Sequence, residues 1–241
     1  MIYPWGHGDV LKVCYKGIHV RLTKLSVLFF IGVFIVSGCA LFETREIRRG
    51  TPEALYQMGY ENYHKGRYKK AIEAFQRVQD EYPLSKLALL AELGIADSYF
   101  SNKDYAEAEM SYEDFMNLHP TNENLPYVMY QIAMCHYNQM GGIDRDQSET
   151  LKSKEAFERL IARFPDSKFS FMAEKQLREC KRQLGEHEFY VGHFYFKNKK
   201  YRSALRRFEY AAKEYGGVGM DYKLHYFIKE TQKLIDEEED G

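Results

Sequence analysis

The amino-acid sequence predicts an all-α solenoid of about five helical hairpins, and three observations carry that prediction. The first is recurrence. The stretch Arg67-Tyr-Lys-Lys-Ala-Ile-Glu-Ala-Phe-Gln-Arg-Val-Gln-Asp-Glu-Tyr-Pro83 returns at residues 152–165, with Phe157, Leu160 and Pro165 in the places of Phe75, Val78 and Pro83. It returns again at 104–120 through Ala108, Tyr112 and Phe115, and at 200–215 through Ala204, Phe208 and Ala211. The second is periodicity. Apolar residues at i, i+4 and i+7 mark one face of a helix, and each copy ends at Pro or Gly, which do not extend one. The third is a small residue 12 positions before the matching alanine: Gly59 before Ala71, Ala96 before Ala108 and Gly192 before Ala204. A small residue there lets two helices approach closely, so each unit reads as a hairpin.

Gly59, Gly66, Tyr68, Ala71, Phe75 and Pro83 together fit the tetratricopeptide pattern, whose period is about 34 residues. About ten helices are expected, at 52–64, 68–81, 85–101, 105–118, 122–138, 148–163, 167–184, 186–198, 201–215 and 219–238. Thr51-Pro52-Glu53 is a helix start, with Thr as N-cap, Pro at the first helical position and an acid in the first turn. Pro83-Leu-Ser85-Lys86 and Pro165-Asp-Ser167-Lys168 are matching connectors, and Ser85 and Ser167 are candidate N-caps. Two irregularities interrupt the pattern. Residues 139–150 carry an insertion where neighbouring units turn tightly, and one first-type helix is followed directly by another. The acidic end, Asp236 to Asp240, is expected to fray.

Residues 1–38 stand apart from the fold. Lys12, Lys16, Arg21 and Lys24 form a positive segment, followed by an apolar run from Leu25 to Val36. That run is too short to span a bilayer, which takes about 20 residues, but suits the apolar core of a secretory signal. Val36-Ser37-Gly38-Cys39 follows at once and resembles a bacterial lipobox. Cys39 is therefore the candidate lipid-attachment residue, and residues 1–20 an extra prefix ahead of the signal. Residues 39–50 read as a tether and 51–238 as the repeat domain. Covalent lipid on Cys39 anchors such a protein without a spanning helix, stably where more than one acyl chain is attached. Ala40 after the cysteine, by resemblance to the enterobacterial sorting rule, directs the protein to the outer membrane, facing the periplasm.

Composition narrows the function. Lys and Arg number 34 against 35 Asp and Glu, so no basic excess points to nucleic acid. Aromatic residues make up 15%, with 20 Tyr, and most are expected in the grooves between helices. Tyr56, Tyr60, Tyr63, Tyr99, Tyr127 and Tyr130 lie on the first helices of units one to three. In stacked hairpins those helices line the concave face, so the six are candidates for a peptide-binding groove with exposed hydroxyls. Packing between repeats is the plainer role for any one of them.

No catalytic constellation is legible, and no cofactor or metal is expected. His187 and His193 superficially resemble a zinc-protease helix, but they stand six apart and that motif needs four. Cys135 and Cys180 lie on equivalent helices of neighbouring repeats. An oxidising compartment permits a bridge, yet helix axes pack about 8–10 Å apart and a disulfide needs Cα atoms within about 7 Å, so buried free thiols are the plainer expectation.

With lipobox and repeats together, the chain resembles the BamD family of lipoproteins, which serve the β-barrel assembly machinery. The resemblance rests on Leu118-His-Pro-Thr-Asn122, Tyr127-Val-Met-Tyr130, Asp144-Arg-Asp146, Arg163-Phe-Pro-Asp-Ser167 and Leu184-Gly-Glu-His-Glu188, and spans Cys39 to about Leu234. The long prefix, a shorter insertion before Asp144 and Gly216 in place of a proline depart from the family pattern. The resemblance implies a non-enzymatic scaffold. Its C-terminal repeats would dock on a periplasmic POTRA domain of BamA beside other lipoproteins of the machinery, and its N-terminal repeats would engage unfolded outer-membrane β-barrel proteins. The family's docking pattern falls on Arg207-Phe208-Glu209, making Arg207 and Glu209 the docking candidates; the plain alternative is an exposed arginine paired with Glu209 or Glu214. A tetratricopeptide lipoprotein that regulates peptidoglycan synthesis or other envelope enzymes is the rival function.

Overall fold

The computed structural model describes residues 50–240, and the expected signal, Cys39 and nearly all of the expected tether lie outside them. Among the described residues there are nine helices and no strands. They are α1 (Pro52–His64), α2 (Tyr68–Glu81), α3 (Lys86–Ser101), α4 (Tyr105–Leu118), α5 (Leu125–Tyr137), α6 (Ser148–Arg163), α7 (Lys168–Lys197), α8 (Tyr201–Glu214) and α9 (Asp221–Asp240). The chain divides into a short unit ending at Leu55 and a main unit from Tyr56 onward. In the main unit each helix from α2 to α8 packs on the next in sequence, and α5 also meets α7. Contact chiefly between sequence neighbours is the mark of a solenoid.

The start signals act as read. The Ala54 N–H donates to Thr51 Oγ1 at 3.2 Å. Ser85 and Ser167 hold the same extended backbone, and their Oγ atoms accept from the N–H of Leu87 and Phe169, each at 3.2 Å. Matching connectors thus cap the first helix of two different units, taking up a donor the helix leaves unpaired.

The core is a series of separate clusters. Tyr112, Phe115, Val128 and Cys135 centre one; Ala133, Phe157, Leu160 and Cys180 centre the next; Phe189, Phe208 and Leu224 centre a third. The recurring aromatic position explains the recurring small one. The Phe75 ring lies between Gly59 of α1 and Gly94 of α3, where an added Cβ would come within 2.5 Å and 2.7 Å of ring carbons. Gly192 meets Phe208 the same way, at 2.7 Å. The small residue accommodates the aromatic ring of the neighbouring helix.

Three expectations are corrected. The helices expected at 167–184 and 186–198 are one continuous helix, α7, of 30 residues. Gly185 interrupts neither its hydrogen bonding nor its packing, because the segment before α9 covers it: Met220 Sδ and Tyr215 Cβ would lie 3.2 Å from an added Cβ. A glycine inside a helix costs about 1 kcal/mol, which does not break one held by tertiary packing. The helix expected from residue 122 starts at Leu125, because Asn122 Oδ1 accepts from the Asn124 N–H at 2.8 Å and forms a side-chain turn. The acidic end, expected to fray, is helical: α9 runs to Asp240, solvent-exposed over its last turn.

Candidate functional site

Two cavities flank the sequence candidates, one among the N-terminal helices of the main unit and one near its C-terminal helices. The first has a volume of about 250 Å³ and is lined by Tyr56, Tyr60, Tyr63, His64, Phe75, Leu90, Leu93, Gly94 and Asp97. Helical spacing along α1 brings its aromatics to one side. Tyr60 and His64 are four apart with ring centroids at 4.3 Å, Tyr63 packs on His64 at 5.6 Å, and Tyr56 leans on Phe75 at 5.4 Å. The ring of Tyr60 is half exposed at the mouth, and the Tyr63 hydroxyl is bonded to Ser101 Oγ at 2.9 Å.

Asp97 on α3 supplies the charge. Its Oδ1 accepts from the Tyr112 hydroxyl at 2.6 Å and the Tyr127 hydroxyl at 2.5 Å, and Gln131 Nε2 donates to Tyr127 at 3.1 Å. Burial raises the Asp97 pKa above the ordinary carboxylate value, and the two phenol bonds offset only part of that rise. Burial also raises the pKa of Tyr56, with the nearby Asp97 charge adding to it.

The structure divides the six tyrosine candidates. Tyr56, Tyr60 and Tyr63 come together in the cavity. Tyr99 packs against the first core cluster. The Tyr127 hydroxyl is committed to Asp97, and Tyr130 is buried against Phe157 and Phe169 with its hydroxyl accepting from Gln176 Nε2 at 3.4 Å. The expected row of exposed hydroxyls is thus corrected to a compact aromatic pocket over a carboxylate. Periodicity placed all six on equivalent helices but not on one side of the inter-helix seam. Asp97 escaped notice as a site residue; an acid between Ile95-Ala96 and Ser98, in an otherwise apolar stretch, was the available signal.

The second cavity, of about 460 Å³, is lined by Glu188, Tyr195, Ser203, Arg206, Arg207 and Tyr210. Arg207 Nη1 donates to Glu188 Oε2 at 2.8 Å, reaching from α8 back to α7, and not to Glu209 or Glu214. The Glu188 side chain is 13% exposed and that of Arg207 44%, so the acid anchors the guanidinium while leaving its remaining donors in reach of solvent. Glu209 is exposed and does not line this cavity.

The remaining candidates have structural roles. Cys135 and Cys180 are free and buried in different clusters, and burial pushes their thiols up to about 12 and about 11. His187 Nδ1 bonds to the Ile143 carbonyl at 2.7 Å, while His193 stacks on Phe189. Cys39 lies outside the described residues.

The family model "YfiO: Outer membrane lipoprotein" matches residues 48–240. The chain belongs to the YfiO outer membrane lipoprotein family. Its relatives include an outer membrane protein assembly factor BamD of Rickettsia prowazekii, 32% identical over 90% of this chain and 86% of that one. Another, of Caulobacter vibrioides, is 26% identical over 72% of this chain and 58% of that one. Among solved structures, a thermophilic TPR protein of Thermus thermophilus covers 76% of this chain and 99% of its own at 14% identity and a TM-score of 0.40. The matched YfiO segment contains both cavities and stops short of Cys39 on the N-terminal side.

Proposed function

We propose that this protein is a non-catalytic scaffold of outer-membrane protein assembly, anchored through lipid on Cys39 and facing the periplasm. The match to relatives named outer membrane protein assembly factor BamD, over nearly the whole chain, carries this reading. The aromatic cavity at Tyr56, Tyr60 and Tyr63 receives an extended segment of an unfolded β-barrel protein. Rigid rings offer large contact area at low entropy cost, which suits recognition of aromatic-rich strands. The face around Arg207 docks on a periplasmic POTRA domain of BamA, in company with other lipoproteins of the machinery. A cavity with a pre-oriented guanidinium supports charge-assisted recognition there. Lipidation raises the local concentration of both partners at the membrane.

The first test is affinity capture of the intact lipoprotein from detergent-solubilised envelopes, followed by mass spectrometry. Recovery of a large barrel protein with POTRA domains is the expected result. Recovery of cell-wall synthases without such a barrel would replace this reading with a regulator of peptidoglycan enzymes. Arg207→Glu sets a carboxylate against Glu188 and is expected to cut co-purification of the barrel protein at least about fivefold with helicity unchanged. Undiminished capture would remove Arg207 from the docking face.

A further inference from the structure

The aromatic cavity has a floor that aromatic or aliphatic residues of a partner would leave unsatisfied. Both phenol bonds to Asp97 fall on Oδ1. Oδ2 accepts no hydrogen bond among the described residues, yet it is not sealed away from solvent. No lysine or arginine of the described chain pairs with this carboxylate, although most other partly buried acids here have one: Glu149 has Lys152, Glu158 has Lys154 and Lys181, and Glu188 has Arg207. Tyr127 and Tyr112 are themselves held, by Gln131 and by burial in the first core cluster, so they fix the carboxylate in place. Around and above it stand Tyr56, Tyr60, Tyr63, His64 and Phe75.

Resting on the reading of this cavity as a groove for extended chains, we infer that it is a receptor for a basic side chain, the arginine or lysine of an extended polypeptide, set between the tyrosine rings with its charge on Asp97. Aromatic faces carry negative potential and attract cations, more strongly where water is excluded. The carboxylate, unpaired by any lysine or arginine of the described chain, adds a charge-assisted bond, and both attractions grow in the low-dielectric floor of the pocket. The volume of about 250 Å³ admits one long side chain and falls below the range of about 300–1,000 Å³ typical of whole small-molecule sites. A free terminal carboxylate or an acidic side chain is refused here, because it would face Asp97 across a few ångströms. Desolvation, offset only in part by the two phenols, raises the pKa of this acid, and a cation bound beside it would bring that pKa back down.

The test uses the intact protein in detergent and fluorescent nine-residue peptides, acetylated and amidated at their ends, with aromatic residues at alternate positions. The central residue is arginine, citrulline or glutamate. Citrulline keeps the shape of arginine and lacks its charge. Anisotropy is expected to show the arginine peptide binding about tenfold tighter than the citrulline peptide, with glutamate weakest. In Asp97→Asn, whose fold is checked by circular dichroism, the arginine-to-citrulline ratio is expected to fall to within about twofold of unity. Tyr60→Leu, which keeps the carboxylate and alters only a half-exposed ring, is expected to weaken the arginine peptide about fivefold. Equal binding of arginine and citrulline peptides overturns the cation site while leaving the groove standing. A preference that survives Asp97→Asn also overturns it. If no peptide binds, the groove and the cation site fall together.

Discussion

Phe75 is held between two helices that each present a glycine to its ring, so moving away from one glycine brings the ring onto the other. Gly94→Ala therefore sets two effects against each other. Alanine favours the helix by about 1 kcal/mol, but overpacking against the ring costs about 1–3 kcal/mol. Overpacking wins, and the thermal midpoint is expected to fall by about 2–4 °C. A midpoint at or above that of the parent would show that the ring has room to move. Asp97 makes the second residue-scale prediction. Burial raises its pKa, so between the ordinary and the raised value the folded chain keeps a proton that the unfolded chain has lost. Its contribution is most favourable at acid pH, below the ordinary carboxylate value, and is lost as pH rises through that value to the raised one. Other acids run in the opposite sense: Glu149 is partly buried, yet bonds from Lys152 and His136 hold it below its ordinary value. The readout is accordingly the difference between parent and Asp97→Asn in urea unfolding across the acid range, and the parent's advantage should shrink as pH rises. A constant difference would mean that Asp97 titrates alike in both states.

At the scale of elements, the insertion between α5 and α6 is tied down by the long helix behind it. Gln183 Nε2 donates to the Gly141 carbonyl at 2.8 Å and to Gln147 Oε1 at 3.0 Å. One turn later His187 bonds to the Ile143 carbonyl. Gln147 closes the loop from within, its Nε2 donating to the carbonyls of Gly142 and Arg145. These anchors sit on either side of Gly185, so an α7 broken there would not present both to the loop. Gln183→Ala takes the side-chain donor from the half-buried Gly141 carbonyl while Gln147 Oε1 keeps the Thr150 hydroxyl, a loss of about 1 kcal/mol, and hydrogen exchange across residues 141–147 should quicken while the core of α2 stays protected. Uniform exchange across the chain would show that the insertion does not depend on α7.

At the scale of the whole molecule, a solenoid can offer one surface near each end because each unit packs only on its neighbours. The proposed lipid anchor belongs to this scale as well, since it would decide where both surfaces work. Cys39→Ser removes the thiol proposed to carry the lipid. An unprocessed precursor missing from the outer-membrane fraction is the expected outcome on fractionation and blotting, and normal membrane partition of the variant would end the lipoprotein assignment. Among the described residues no helix is long and apolar enough to cross a membrane.

Repeat register, helix faces and capping serines were legible in the sequence because each depends on residues within a few turns of one another. Ser85 caps α3 and Phe75 faces inward whatever lies elsewhere in the chain. Tertiary structure alone decided three matters that local pattern cannot carry. Gly185 stays helical because Tyr215 and Met220 cover it from thirty or more residues away. Arg207 pairs back to Glu188 on the preceding helix and not along its own. Tyr127 and Tyr130 turn into seams while Tyr56, Tyr60 and Tyr63 gather over Asp97, a choice made by which neighbouring helix each face meets. Helical period tells which residues share a face. Only packing tells what that face meets, and the chemistry of the aromatic cavity follows from the second.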